Sequence, residues 1–535
     1  MYDYVIVGAG SAGCVLAGRL TEDPETKVLL LEAGGRDDAD EVHIPLAFSQ
    51  LFRTRHDWAY TTVEQKHAHG RCLYWPRGKL LGGSSSINAM IYIRGNPLDY
   101  DSWRDDYGCA GWGYADLLPY FRRSEDQARG ASAFHGVGGP LRVEDPRHLH
   151  RLSRSFLTAG ADWGLAPVED FNGAAQEGIG AYQLTMRAGR RWSAADAYLH
   201  PALGRPNLTL HTDALVTRIV VEHGRAVSVA YRRHGEEVSA RAGAEVLLAG
   251  GAVNSPQLLM LSGIGPAAHL AEHAIEVAVD LPGVGANLQD HPIVPVLWFT
   301  RGIDRDLNDY GLRDLLRWRL THRGMLTSNV AEAGAFFRSR AGLPAPDLQL
   351  HVAPAAFLDH GLSEPLGHGF TMGPTLISVA SRGSLRLRSA DPRWQPAIDP
   401  AYLSESADVD ALVAGIEAAR GIAALPALAR HLSREHLPGP DCSSADALRD
   451  YVRGNVETLY HPVSTCAMGT GELAVVDPQL RVYGVDGLRV VDASVMPAAP
   501  RGNTNAPTIA LTERAADLIR DRPPLSPEPA GRQYR

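Results

Sequence analysis

The chain has 535 residues, more than one hydrophobic core organises, so at least two structural units are expected. Its net charge is −9 and its 52 basic residues are scattered rather than blocked, which argues against nucleic acid as a partner. The 5 cysteines are odd in number and contain no Cys-x-x-Cys pair, which argues against a disulfide framework or a metal site.

The first residues run straight into an apolar strand, with no basic n-region of a signal peptide ahead of it. No apolar run approaches the ~18 residues of a membrane span, and the chain reads as cytoplasmic. Residues 4–7 (YVIV) form a short apolar run that predicts a buried strand. Gly8-x-Gly10-x-x-Gly13 follows at once and opens a predicted helix that runs through Leu20. Residues 28–31 (VLLL) predict a second buried strand, which ends at Glu32. This strand–turn–helix–strand unit carries the dinucleotide fingerprint. Gly8 permits the tight turn, Gly10 lets the backbone approach a pyrophosphate, and Gly13 lets helix and strand pack closely. Glu32 stands where a carboxylate bonds ribose hydroxyls, and its charge argues against NADP. The fingerprint does not separate FAD from NAD. Further along, residues 208–232 and 236–249 predict strands, and 313–322 and 406–424 predict helices. Residues 522–535, rich in Pro and polar side chains, read as a disordered tail.

Three further segments decide between the dinucleotides. In residues 78–99, Gly82-Gly83 precedes Ser84, Ser85 and Ser86, a compact row of backbone N–H and hydroxyl donors suited to a phosphate or the polar edge of a ring. Residues 250–265 (GGAVNSPQLLMLSGIG) combine a strand end, a glycine turn and a helix start. Near the end, His461-Pro462-Val463-Ser464-Thr465 is followed by residues 490–497 (VVDASVMP) and 502–509 (GNTNAPTI). Together these resemble the glucose–methanol–choline (GMC) family of FAD oxidoreductases, on its choline dehydrogenase, bacterial alcohol dehydrogenase and aryl-alcohol oxidase branch. Residues 283–292 (GVGANLQDHP) add to the likeness, which runs from about residue 2 to residue 520.

The resemblance implies an extended FAD. Its ADP end would lie on Gly8, Gly10, Ser11, Ala12 and Gly13, with Glu32 and Ala33 beside the ribose and Val216 against the adenine. The flavin ring would rest on the loop that holds Gly82, Gly83, Ser84, Asn88, Ala89, Met90 and Ile91. Asp492 and Ala493 would sit near the ribityl chain and pyrophosphate, with Asn505 and Thr508 as further contacts. Some relatives bond the flavin covalently through a histidine in the serine loop. Ile87 stands at that position, so the FAD is expected to be non-covalent.

Alcohol oxidation removes a hydroxyl proton and a carbon-bound hydride, and histidine is the side chain whose ordinary pKa suits the proton. His461 occupies the family's catalytic histidine position and Asn505 its partner position. His291, in Gln289-Asp290-His291-Pro292, reads as structural, and Cys466 as a small buried residue. Glu332, Leu459 and Tyr460 are candidates for the substrate pocket. Trp298, Trp318, Phe336, Phe337 and Phe357 could line the pocket or fill the core. The expected architecture is α/β: a doubly wound, Rossmann-like FAD-binding domain from residues 1–296 and 456–521, and an α+β substrate domain mainly from 297–455, its antiparallel sheet backed by helices. The expected reaction is oxidation of an aryl, allylic or medium-chain primary alcohol to the aldehyde, with oxygen as acceptor. A quinone- or dye-linked alcohol dehydrogenase, including a choline or polyether-alcohol dehydrogenase, is the alternative.

Overall fold

The structure, a computed structural model, describes residues 1–364 and 366–528. The apolar runs read from the sequence become the middle of one sheet. Leu208–His211, Val28–Leu31, Tyr2–Val7, the second half of Glu236–Leu248, and Leu488–Val490 lie side by side in that order, all parallel. Val28 to Leu31 are buried throughout, as strands covered on both faces require. Helix Ser11–Leu20 crosses between the first two strands, and helix Asn505–Ile519 packs beside it. Arg19 and Arg123 both bond the fully buried carboxylate of Glu513 on that second helix.

Glu236–Leu248 serves two sheets' worth of pairing. Its first half is antiparallel to Arg225–Arg233, which is antiparallel to Ala214–Glu222. Two-residue turns join these strands, and both central residues have positive φ: His223 (50°) with Gly224 (78°), and His234 (51°) with Gly235 (86°). That is the turn whose twist matches a hairpin.

The second sheet is antiparallel throughout. Its strands run in the order Leu432–Leu437, Val296–Thr300, Gly369–Leu376, Leu348–Ala353, Ala333–Phe337, Gly178–Ala181, with the short Pro292–Ile293 bridging to Glu457–Thr458. Helices Arg151–Trp163 and Ser406–Ala423 back it. Gly415 permits close approach there, since a Cβ would lie 2.6 Å from the Cβ of Pro374. The second sheet is therefore not confined to residues 297–455: its edge strand comes from before residue 297, and Glu457–Thr458 from after 455. Long-range strand pairing decides this, and no local pattern reports it. The α/β class holds, as do the helices expected near 313–322 and 406–424, found at Leu312–Thr321 and Ser406–Ala423.

The expected disordered tail needs correction over residues 522–528. The Leu525 amide donates to the Tyr120 hydroxyl, the Glu528 amide donates to the Ala115 carbonyl, and Arg122 pairs with Glu528. Residues 529–535 lie outside the described residues. Among the described residues, no helix is long and apolar enough to cross a membrane.

Candidate active site

One cavity runs between the two sheets. At one end it is lined by Gly8, Gly10, Ser11, Ala12, Glu32, Ala33 and Val216. Its middle is lined by Gly83, Ser84, Asn88 to Ile91, Asp492, Ala493, Asn505 and Thr508. At the far end stand Leu459, Tyr460, His461, Asn503, His351 and Phe357.

The first end is built for an anion. Helices Ser11–Leu20 and Asn505–Ile519 both begin at the cavity, and neither N-cap, Gly10 or Thr504, makes a side-chain capping bond. First-turn N–H groups left uncapped, with the positive end of the helix dipole, attract phosphate. The Ser11 hydroxyl donates to Asn505 Oδ1 at 2.7 Å and ties the two helix starts together. Gly8 sits at φ 99°, where a side chain is strained. Gly10 and Gly83 meet so closely that a Cβ on Gly83 would lie 2.6 Å from the Gly10 Cα. Two loops distant in sequence thus frame a smooth backbone slot. Gly13 and Gly82 do not line the cavity; they shape the turns behind it. The Glu32 carboxylate accepts from the amides of Ala9 and Gly34, both at 2.8 Å, and burial pushes its pKa up to about 7. Asp492 accepts from the Ser255 hydroxyl (2.6 Å) and the Gly251 amide (2.9 Å), fixing the third glycine turn.

The far end is built around His461. Two consecutive residues hold it. Asp290 Oδ1 accepts from the His461 amide at 2.7 Å, and its other oxygen accepts from the hydroxyls of Thr458 and Tyr402. His291 Nδ1 lies 3.1 Å from His461 Nδ1. The neighbouring Gln289 amide bonds the Ser464 hydroxyl and the Pro497 carbonyl. Tyr460 (φ 68°) and Ser464 (φ 76°) flank the histidine in the left-handed region, a strain the surrounding bonds sustain. His291, read from the sequence as structural, is thus a fully buried direct partner of His461. Burial, then His291, His351 and Arg77, hold the His461 imidazole well below the ordinary histidine range. It is neutral and can take a proton.

The partner residue differs from the expected one. Asn503, not Asn505, reaches His461, with its Nδ2 3.2 Å from Nε2. Asn505 is the first residue of its helix and is engaged with Ser11. Thr504 is the N-cap, so Asn503 lies outside the helix and is free to face the cavity. That threonine was the readable signal, since helix starts favour Ser, Thr, Asp or Asn as caps. The two ring nitrogens of His461 thus face different partners, Nδ1 toward His291 and Nε2 toward Asn503.

Glu332 needs a second correction. It is fully buried, does not line the cavity, and is saturated: the hydroxyls of Ser153 and Ser328 and the His150 amide donate to it, and His148 pairs with it at 2.7 Å. Of the five aromatic candidates only Phe357 lines the cavity; Trp298, Trp318, Phe336 and Phe337 are buried elsewhere. Phe48 and Phe52 join Phe357 in the wall, unsignalled in the sequence because they lie on the short helical turn Pro45–Leu51 and just after it. His351 also lines the cavity, and nothing in the sequence distinguishes it among 21 histidines. Cys466 is buried as expected. Among the described residues, His269, Glu272 and His273 could together hold a metal, away from this cavity. The Leu387 amide donates to His269 Nε2, which places the ring's proton on the nitrogen that would have to ligate.

The GMC oxidoreductase N-terminal family model matches residues 2–293, and the C-terminal model matches residues 379–512. The chain is a GMC oxidoreductase. It is 46% identical over 528 residues to an alcohol dehydrogenase (acceptor) of Pseudomonas putida, covering 97% of this chain and 96% of that one. It is 45% identical over 543 residues to the mitochondrial choline dehydrogenase of Homo sapiens, covering 98% of this chain and 90% of the relative. The crystal structure of pyridoxine 4-oxidase from Mesorbium loti superposes with a TM-score of 0.89 at 35% identity, over 98% of this chain and 100% of that one. In this GMC oxidoreductase the Rossmann-like and antiparallel sheets place the cavity between them.

Proposed function

We propose that this GMC oxidoreductase oxidises a primary alcohol to the aldehyde with bound FAD. The observation that carries the reading is a neutral buried His461, paired with Asn503, at one end of a cavity whose other end is an uncapped double helix start. The Gly8–Ala12 turn and Asn505 would hold the pyrophosphate, Glu32 the ribose and Val216 the adenine, with the flavin ring along Asn88 to Ile91. FAD, when bound, supplies the acceptor for the carbinol hydride. His461 Nε2 takes the hydroxyl proton, and the Asn503 amide holds the substrate oxygen in line. His291 and Asp290 keep the imidazole in one orientation, as supporting bonds do for a base. Phe48, Phe52, Phe357 and Leu459 exclude water and favour an apolar alcohol, aryl, allylic or medium-chain.

For the electron acceptor, the apolar Leu459 favours oxygen, whereas the likeness to dehydrogenases at 45–46% identity supports a quinone-type acceptor, and we adopt the latter. A second substrate reading rests on Glu457, which lines the same cavity and whose pKa burial and Asp359 push up to about 7. Ionised above that pH, it would favour a cationic alcohol such as choline.

Anaerobic mixing with benzyl alcohol, hexanol and choline tests all of this through the flavin band near roughly 450 nm. Bleaching by an apolar alcohol is expected, followed by faster recolouring with a soluble quinone than with air. If none of the three bleaches the flavin, the alcohol chemistry is wrong. Ile87 is buried in the serine loop and cannot bond the cofactor, so acid precipitation should leave a yellow supernatant over a colourless pellet.

Two further outcomes follow from the base. Asn503→Ala should lower turnover by about 10–10²-fold with FAD retained, since it removes a bond made to the reacting oxygen. Asn505→Ala should instead weaken FAD retention, read by flavin content after dialysis. Because His461 is held below the ordinary histidine range, it remains a competent base as the pH falls past ~6.5, where a free imidazole would already be protonated. The acid limb of kcat/KM should accordingly lie below that value; a limb centred at or above it contradicts the assignment.

A further inference from the structure

Helix Leu312–Thr321 carries three of the large apolar side chains exposed among the described residues. Leu312, Leu316 and Leu320 are 72%, 51% and 83% exposed, and their spacing of four places them along one face. Solitary surface leucines need no explanation, but a contiguous stripe of three does. The charge around the stripe is unlike the rest of the chain. Between residues 311 and 323 stand Arg313, Arg317, Arg319 and Arg323 against a single acid, Asp314, in a protein whose net charge is −9. Asp314 is already taken by Arg305, and Arg319 by Asp40. Arg313, Arg317 and Arg323 make no ion pair among the described residues.

The helix is firmly seated on its inner side. Trp318 is buried and donates through Nε1 to the Gly189 carbonyl at 2.9 Å. It packs in the apolar cluster that also contains Phe48, Phe52 and Ile87, with Phe357 against it, and these four also line the cavity. The stripe is therefore the outer surface of the wall that encloses the substrate end.

We infer that helix Leu312–Thr321 is a docking surface for an anionic lipid bilayer, with Leu312, Leu316 and Leu320 inserted at the headgroup boundary and Arg313, Arg317 and Arg323 on the phosphates. An amphipathic helix with arginines beside an apolar face binds bilayers in this way, lying in the interface without spanning it. The local excess of arginine complements anionic headgroups, whereas stripe against stripe in a second copy would set arginine against arginine. The inference is independent of the acceptor proposed above. It would bring the cavity wall against the phase in which apolar alcohols concentrate.

The test is flotation of the holoenzyme with vesicles of phosphatidylglycerol and phosphatidylcholine, against vesicles of phosphatidylcholine alone. Wild type should float with the anionic vesicles at least about tenfold better, and less so at high salt. Leu316→Ser with Leu320→Ser should cost about tenfold or more in binding, from the lost apolar contact. Arg313→Glu with Arg317→Glu should abolish the preference for anionic lipid. Both pairs are exposed, so flavin content, thermal midpoint and turnover on a soluble alcohol should match wild type. Equal flotation with both lipids, or retention of binding in the leucine variant, overturns the inference. So does a concentration-dependent dimer of the wild type that the leucine variant lacks, because the stripe would then be covered by a second copy.

Discussion

Replacing His461 by alanine is expected to reduce turnover by about 10²–10⁴-fold, the range a positioned general base contributes, while the protein stays yellow. The separation of the two effects follows from the geometry. His461 stands at the far end of the cavity, whereas the proposed pyrophosphate slot lies at the helix starts at Ser11 and Asn505. Its amide bond to Asp290 is a backbone contact and survives the substitution. What disappears is the Nε2 acceptor beside Asn503 and the 3.1 Å contact with His291. Single-turnover flavin reduction, which isolates the chemical step from acceptor chemistry, is the appropriate measurement. An unchanged reduction rate would remove His461 from the mechanism; loss of flavin together with activity would show that its role is structural.

Gly13→Ala is expected to yield protein without flavin, and little of it. A Cβ at residue 13 would lie 1.8 Å from the Gly8 carbonyl oxygen and 2.9 Å from its carbon. Both are backbone atoms of the turn proposed to cradle the pyrophosphate, so no rotamer change relieves the overlap. The helix would have to lift from the strand, which exceeds the ~1–3 kcal/mol of ordinary overpacking because the overlap is with backbone at the end of a central strand of the parallel sheet. The ratio of flavin to protein absorbance and the thermal midpoint report the two consequences together. Gly35→Ala is a fair control, since its nearest neighbour would be the Asp213 carboxylate at 4.0 Å. A flavin-replete Gly13→Ala of normal midpoint would mean that the fingerprint helix tolerates displacement.

The candidate site was legible wherever its chemistry is contiguous in the chain. Gly8 to Glu32 spans one strand–turn–helix–strand unit, and the serine loop and the His461 segment are each a short run, so their contacts with a cofactor are set mostly by local backbone geometry. Their convergence was inferred from family likeness and is seen in the cavity. The errors came where a local pattern left two choices. Asn503 and Asn505 are two residues apart with the same side chain, and only the position of the helix start decides which one faces His461. Glu332 carries the charge expected of a pocket residue, but packing turned it toward two serines and His148 instead.

By itself, then, the sequence determined the dinucleotide-binding unit and the α/β class, and it singled out the His461 segment that lines the cavity. Apolar runs bounded by glycines leave few alternatives for a parallel strand followed by a helix. The tertiary structure alone decided the pairing of His291 with His461, the recruitment of Gly178–Ala181 into the second sheet, and the aromatic wall of Phe48, Phe52 and Phe357. Each joins residues that are scores to hundreds of positions apart or lie in irregular segments. Such contacts are chosen by how buried surfaces fit and which polar groups they satisfy, and no periodicity along the chain records that choice.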